Sequence, residues 1–303
     1  MSAVSATART PRREQVVETP MVREVARRGL AYLRAGLPLH LSGPAGVGKT
    51  TLAFHLAHQI GRPVVFIQGD EQMTSADLVR GGLSIRRSRV VDNYIRSVVR
   101  TADDYREQWV DGWLTAACRH GHTLVYDEFT RSRPETNNVL LSVLEERVLV
   151  APGMHTDALP VHAEFRAILT SNPGEYAGVY KSPDALQDRL VTVRLDHPDV
   201  ATEAAIVQSR SGLPEADCAR IVALTRAVRQ RARKGGTGPS LRAAVALAGV
   251  LKAADLPVDF SHSAVAGFCH DLLGAALPRA ENLAALLGAA TSPFPEDAAG
   301  EGG

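Results

Sequence analysis

Cysteine is scarce in this sequence. Its three cysteines, Cys118, Cys218 and Cys269, lie far apart, and no CxxC pair occurs. That spacing offers no zinc clamp, and the three read as reduced, mostly buried, small apolar residues. Net charge is nearly absent as well: 34 Lys and Arg balance 33 Asp and Glu, leaving +1. Such a balance gives no bulk attraction to nucleic acid or to a membrane surface. No uninterrupted apolar run reaches the roughly 20 residues that a bilayer-spanning helix needs. The opening stretch, MSAVSATARTPRREQ, has basic residues but no apolar h-region behind it, so it makes a poor secretory signal and reads as a flexible arm. No internal repeat is visible, and neither a winged-helix pattern nor a basic domain marks a motor that works on DNA.

What is present is an ordinary globular composition, 45% hydrophobic and 22% charged over 303 residues. That suffices for a sizeable core in one large domain or two modest ones. Thr19-Pro20 reads as a helix start, Thr as N-cap and Pro at the first helical position, and the pattern VREVARRGLAYLRAG stops at Gly36. LPLHLS (37–42) is a short apolar run, hence a buried strand; GKTTLAFHLAHQIG follows as a helix and PVVFIQ (63–68) as a second strand. Residues 69–100 are irregular in pattern and rich in charge, with a basic cluster at Arg86, Arg87 and Arg89. DDYREQWVDGWLTAACRHG reads as one amphipathic helix ended by Gly121, with Trp109 and Trp113 on a shared packing face. TLVYDEF is a third strand, PETNNVLLSVLEER a helix, VLVAPG to Val161 a hairpin, FRAILTSN a fourth strand, SPDALQDRL a helix and VTVRL a fifth strand. After Asp199 only helical patterns occur. This order predicts an α/β domain over residues 16–198, with a parallel five-stranded sheet flanked by helices. A small all-helical domain over 199–280 follows. The arm, 1–15, and a tail, 281–303, are expected to be mostly disordered.

The chemistry centres on GPAGVGKT, residues 43–50. It fits G-x-x-x-x-G-K-[ST] in full, between a predicted strand and a predicted helix. Glycines let backbone N–H groups turn inward around phosphate oxygens, and the helix N-terminus adds a favourable dipole. The nucleotide-binding stretch is therefore Gly43, Pro44, Ala45, Gly46, Val47, Gly48, Lys49, Thr50 and Thr51. Lys49 is expected to reach the β and γ phosphates, and Thr50 to ligate Mg²⁺. LVYDEF puts Asp127 and Glu128 at a strand end. An Asp there can hold Mg²⁺ through water, and the following Glu can polarise an attacking water. Such a pair is elsewhere only a helix cap; its place behind a P-loop favours the chemistry. Asn172, closing ILTSN, could orient the water from the opposite side, although SNP alone is a turn signal. Arg189 could stabilise charge on the transferring phosphoryl group of a neighbouring subunit, or form a surface ion pair with Asp188 or Asp184. Arg242 could report nucleotide state from the helical domain, or sit on a solvated helix face.

In this order the motifs resemble an AAA+ ATPase. The likeness covers roughly residues 16–277: Walker A at 43–50, Walker B at 124–128, sensor 1 at Asn172, an arginine finger at Arg189, sensor 2 at Arg242, then a helical lid. GDEQMTSADLVRG sits where the MoxR-like branch carries its helix-2 insert, and NNVLLSVLEERVLV resembles that branch's signature after Walker B. Within the branch, YDEFTRSRPE and TSNPGEYAGV are similar to the gas-vesicle protein N family. The resemblance implies a cytoplasmic P-loop ATPase, associated with gas vesicles, that uses ATP and Mg²⁺. It implies self-association into a ring, commonly a hexamer, in which Arg189 completes the neighbour's site. It implies gas vesicle shell or accessory proteins as partners, with help in assembling or enlarging the shell, and neither a nucleic-acid partner nor a membrane span. Axial loops are implied at 69–92, where Arg86, Arg87 and Arg89 could meet an acidic partner or, as the more ordinary reading, form a solvated charge run, and at 148–164. Adenine contacts are expected around 16–22. A MoxR-type chaperone for another client, or a nucleotide-gated scaffold with little turnover, are the rival readings.

Overall fold

The computed structural model describes residues 16–91, 101–150, 158–173, 184–232, 238–277 and 286. The expected arm, residues 151–157 of the expected hairpin and nearly all of the expected tail lie outside them. So do the side chains of Arg86, Arg87 and Arg89.

The chain opens with α1 (Pro20–Arg34), β1 (Leu39–Ser42), α2 (Lys49–Ile60) and β2 (Val64–Gln68). Next come α3 (Ser75–Val79), β3 (Arg80–Val91), β4 (Thr101–Asp111), α4 (Trp113–His120) and β5 (Thr123–Asp127). Helices α5 (Pro134–Asn137) and α6 (Val139–Leu144), strands β6 (Val148–Leu149), β7 (Leu159–Pro160) and β8 (Arg166–Ser171), then α7 (Asp184–Gln187) and β9 (Val191–Arg194) complete the mixed part. Among the described residues the α-helices that follow are α8 (Val200–Ser211), α9 (Glu215–Gln230), α10 (Leu241–Ala253) and α11 (Ser263–Leu273).

A five-stranded parallel sheet runs in the order β2-β5-β8-β1-β9. Every residue of β5 is buried, which is why TLVYD reads as a continuous apolar run rather than an alternating one. Leu124 lies opposite Val65 on β2 and Ala167 on β8, and Leu39 of β1 lies opposite Ile168. Parallel strands place all their C-terminal ends on one edge, where loops can gather functional groups.

The described residues form two compact units. One comprises Arg28–Ser42 and Thr50–Val193; the other takes 16–27, Gly43–Lys49 and the residues from Arg194 onward. The core of the first is built on Tyr126, Phe129, Phe165 and the leucines of the sheet and its helices. The core of the second is built on Val207, Ile221, Leu247, Leu251 and Phe260, drawn from the C-terminal helices and the turn that follows α10.

The single helix expected between Asp103 and Gly121 is not observed. Residues 101–111 are strand β4, paired antiparallel with β3, and Trp109 lies opposite Leu83. Trp109 and Trp113 therefore stand on different elements: one in a strand, the other opening α4. Gly112 makes the junction. It is extended (φ −73°, ψ 175°), donates its N–H to the carbonyl of Val79 at 2.8 Å, and a Cβ there would strike the backbone of Val79 and Arg80. A four-residue spacing carries a helical meaning only when no such break intervenes. Residues 69–91, irregular in pattern, contain α3, whose N-terminus carries a capping box between Thr74 and Asp77, and then β3.

Candidate nucleotide site

The loop between β1 and α2 is held in the second unit. Gly46 (φ 77°) and Gly48 (φ 90°) take left-handed backbone conformations, which glycine adopts without a Cβ penalty. Two close approaches also demand the missing side chain. A Cβ at Gly43 would run into the carbonyl of Leu195, and one at Gly46 would lie 2.5 Å from Ser240 Cβ and Oγ. Ser240 is the N-cap of α10, and the Cγ of Arg242, two residues on, comes 3.8 Å from the same point. Arg242 thus lies beside the glycine loop, although it stands 193 positions from Lys49 in sequence. Lys49 is buried, and its ammonium donates to the carbonyls of Gly43 (2.8 Å) and Pro44 (2.7 Å). A buried cation needs such acceptors. Phosphate oxygens would offer it stronger, charge-assisted ones, so the cradle and its lysine fit a polyphosphate.

The next residue, Thr50, opens the geometry of the first unit. Its hydroxyl donates to Asp127 Oδ1 and Oδ2 at 2.8 and 3.0 Å. Asp127 is buried at the end of β5, and Thr170 on β8 donates to its Oδ1 at 2.5 Å while accepting the N–H of Glu128 at 2.9 Å. The pair Thr50–Asp127 is a hard-oxygen donor set of the kind Mg²⁺ takes. Glu128 is left-handed without being glycine (φ 52°, ψ 41°), a conformation that costs about 1–3 kcal/mol and persists where the surroundings enforce it. Here they do. The Glu128 N–H is fixed by Thr170, and its carbonyl presses on Gly69, where no Cβ would fit. Its carboxylate pairs with Arg131 Nε at 3.0 Å. Asn172, buried, follows directly on β8, the neighbour of β5. Asp127, Glu128 and Asn172 therefore leave the same edge of adjacent parallel strands.

Arg189 is placed differently from the others. It is paired with Glu145 at the C-terminus of α6, through Nε at 2.7 Å and a second guanidinium nitrogen, and it also donates to the carbonyl of Ala185. The sequence does not single out Glu145 as the partner, because only the packing of α7 near α6 brings it close. Thr170 and Gly69 also escape motif reading. Thr170 carries a usable signal, since it stands two residues before Asn172 and so shares its strand face.

His40 escapes too, although a histidine inside LHLS is a signal in itself. It is buried, with Nε2 at 2.8 Å from Ser171 Oγ and Nδ1 at 3.0 Å from Thr192 Oγ1. Burial pushes its pKa from 6.5 down to about 4. The native imidazole is then neutral, while the unfolded chain takes up its proton first as pH falls. The stability this group contributes is complete above about pH 6.5 and is lost progressively toward pH 4, on the order of 3 kcal/mol in all. Urea unfolding at pH 7.5 and pH 4.5 should show this fall in wild type and a smaller one in His40→Leu. An equal pH dependence in the two proteins would contradict the assignment.

Among the described residues no helix is long and apolar enough to cross a membrane, and no cluster of His, Cys, Asp and Glu could by itself hold a metal ion. The family model described as AAA domain (dynein-related subfamily) matches residues 38–190, which contain both the glycine loop and the acidic strand end. The gas vesicle ATPase GvpN of Ancylobacter aquaticus is 49% identical over 267 residues, covering 87% of this chain and 74% of that protein. The gas vesicle ATPase GvpN of Haloferax mediterranei is 43% identical over 266 residues, covering 87% and 75%. Among solved structures, NtrX from Brucella abortus in complex with ADP aligns with a TM-score of 0.51 at 18% identity, covering 89% of this chain and 58% of that one. At that identity the likeness speaks for the fold. Near-half identity across most of both chains settles the family: the chain belongs to the gas vesicle ATPases GvpN, in the MoxR-like branch of the AAA+ enzymes, and it is a nucleotide-binding ATP hydrolase.

Proposed function

We propose that the chain spends ATP hydrolysis on assisting gas vesicle assembly or enlargement, by remodelling vesicle shell or accessory proteins in the cytoplasm. The observation that carries this reading is the extended identity with proteins named gas vesicle ATPase, over 87% of this chain. Residues 16–198 are read as the nucleotide-binding domain and 199–280 as its helical lid domain.

In this reading the backbone of 43–51 cradles the phosphates, and Lys49 turns from the carbonyls of Gly43 and Pro44 to the β and γ oxygens. Thr50 and, through water, Asp127 would hold Mg²⁺, which when bound would supply charge neutralisation at those oxygens. Glu128 takes the proton of the attacking water, for which its carboxylate must leave Arg131. Asn172 orients that water. Arg242 reports the state of the phosphates from its place beside the loop. Arg189 serves the site of a neighbouring subunit in a ring, a hexamer by resemblance, and exchanges Glu145 for that role. Remodelling then requires that contacts with the vesicle protein differ between the ATP and ADP states, since a nucleotide shifts only what it binds unequally.

Complementation tests the proposal. A gas-vesicle-forming host lacking its own copy of this gene receives wild type or Glu128→Gln at matched expression, and vesicles are counted and sized by electron microscopy. Wild type should restore full-sized vesicles, and Glu128→Gln should leave few or small ones. Restoration by both would mean that turnover is dispensable and favour a scaffold. Restoration by neither would move the search to another client of a MoxR-type chaperone.

A further inference from the structure

Strand β1 contains, between two buried leucines, a polar residue that packing alone does not ask for. Leu39 and Leu41, on either side of His40, are fully buried, and a leucine at 40 would complete the same run. An imidazole there carries a desolvation cost and returns something an apolar side chain cannot, two directional ties. One goes to Ser171, the residue before Asn172, at 2.8 Å; the other goes to Thr192 on β9 at 3.0 Å. A third contact is made by the ring itself. It meets Phe129 edge-on, with centroids 5.4 Å apart and planes at 89°, a favoured aromatic geometry. Phe129 is the residue after Glu128, is wholly buried, and has its carbonyl held by Asn137 Nδ2 at 3.0 Å.

His40 therefore touches the immediate chain neighbours of Glu128 and Asn172, and it does so from the strand that runs into the glycine loop. A neutral imidazole offers one donor and one acceptor, so each hydroxyl must answer with the complementary role. The ring cannot rotate without breaking both bonds. Packing fixes how deep a side chain sits; this arrangement also fixes the offset between β8 and β1 at the position where Asn172 emerges. Phe129, wedged against the ring, restrains the left-handed turn at Glu128.

We propose that His40 is a positioning residue for hydrolysis: through Ser171 and Phe129 it sets where Asn172 and Glu128 stand relative to the strand that carries the phosphate loop. The inference rests on the reading in which those two residues act on the attacking water.

The test compares His40→Leu, His40→Gln, Ser171→Ala and the double variant His40→Leu/Ser171→Ala, with Glu128→Gln and Asn172→Ala as controls. ATP turnover, the dissociation constant for a fluorescent ADP analogue, and Tm are measured for each. His40→Leu should keep its affinity for the ADP analogue within about threefold and lose turnover by about 10- to 100-fold, the scale set by a displacement of about 1 Å in a reacting group. His40→Gln, which keeps a donor and an acceptor, should recover much of the loss. Ser171→Ala should repeat it, and the double variant should be no worse than the poorer single one, because both changes cut the same tie. Unchanged turnover in His40→Leu overturns the proposal. So does a loss of analogue affinity that matches the loss of turnover, with no recovery in His40→Gln, since that is what a merely structural residue gives. If His40→Leu does not fold, Ser171→Ala decides, and full turnover there overturns it. Full turnover in both controls would instead remove the site reading underneath.

Discussion

Lys49→Ala should bind ATP at least about 100-fold more weakly than wild type and show no turnover above background. The size follows from what the ammonium does. It is buried, and its charge is held by the carbonyls of Gly43 and Pro44, so the loop already forms around a cation aimed into its own concavity. Charge-assisted hydrogen bonds are the strong ones, and a loss of about 2.7 kcal/mol in binding is a factor of about 100 in affinity. Turnover falls further, because negative charge at the transferring group then lacks its nearest fixed cation. Lys49→Arg should fare little better. A planar guanidinium has neither the compact shape nor the rotating donors of an ammonium, and two carbonyls from adjacent residues define the space. Fluorescent-nucleotide titration and phosphate release, made at matched Tm, give the result. Wild-type affinity in Lys49→Ala would mean that 43–50 is not the phosphate cradle.

This prediction could be made from sequence because a phosphate loop is local. Its glycines, its lysine and its helix start lie within eight consecutive residues, so the motif is complete before any distant contact is known. The strands were legible for a related cause. The inner strands β1, β5 and β8 are buried almost throughout and are written as short apolar runs, while the edge strands β2 and β9 alternate between more and less buried positions. What could not be read depends on the partner across a gap. Trp109 belongs to β4 only because β3 lies beside it. Glu145 meets Arg189 only because α7 folds back near α6. The approach of Ser240 to Gly46, which brings Arg242 to the loop, joins residues nearly two hundred positions apart. His40 is the intermediate case. Its identity within a buried strand was visible, but Ser171, Thr192 and Phe129 could be named only after the sheet order was known.

Glu128→Gln should separate the two halves of the cycle that Lys49→Ala removes together. The side chains that would meet phosphate and Mg²⁺ are Lys49, Thr50 and Asp127, and the hydroxyl of Thr170 holds the Asp127 carboxylate independently of the Glu128 side chain. Affinity for ATP should therefore stay within about threefold of wild type, while turnover falls by about 10²- to 10⁴-fold, the range that a positioned general base contributes. A glutamine also fits the backbone as it stands, since the left-handed conformation at 128 is enforced through the N–H and carbonyl rather than through the carboxylate. The ion pair with Arg131 is lost, but that pair is partly exposed, and such pairs contribute little to stability. Tm without nucleotide should then barely change. Added ATP should raise Tm and keep it raised, because a ligand that binds only the folded state stabilises it for as long as it is not consumed. In wild type the same addition should give a gain that decays toward the value with ADP. Phosphate release and repeated melting after incubation with ATP measure both quantities. A variant that loses affinity as steeply as turnover would place Glu128 among the binding groups. A variant that keeps turnover would move the general base elsewhere, with the strain at Glu128 then serving only to turn the chain from β5 toward α5.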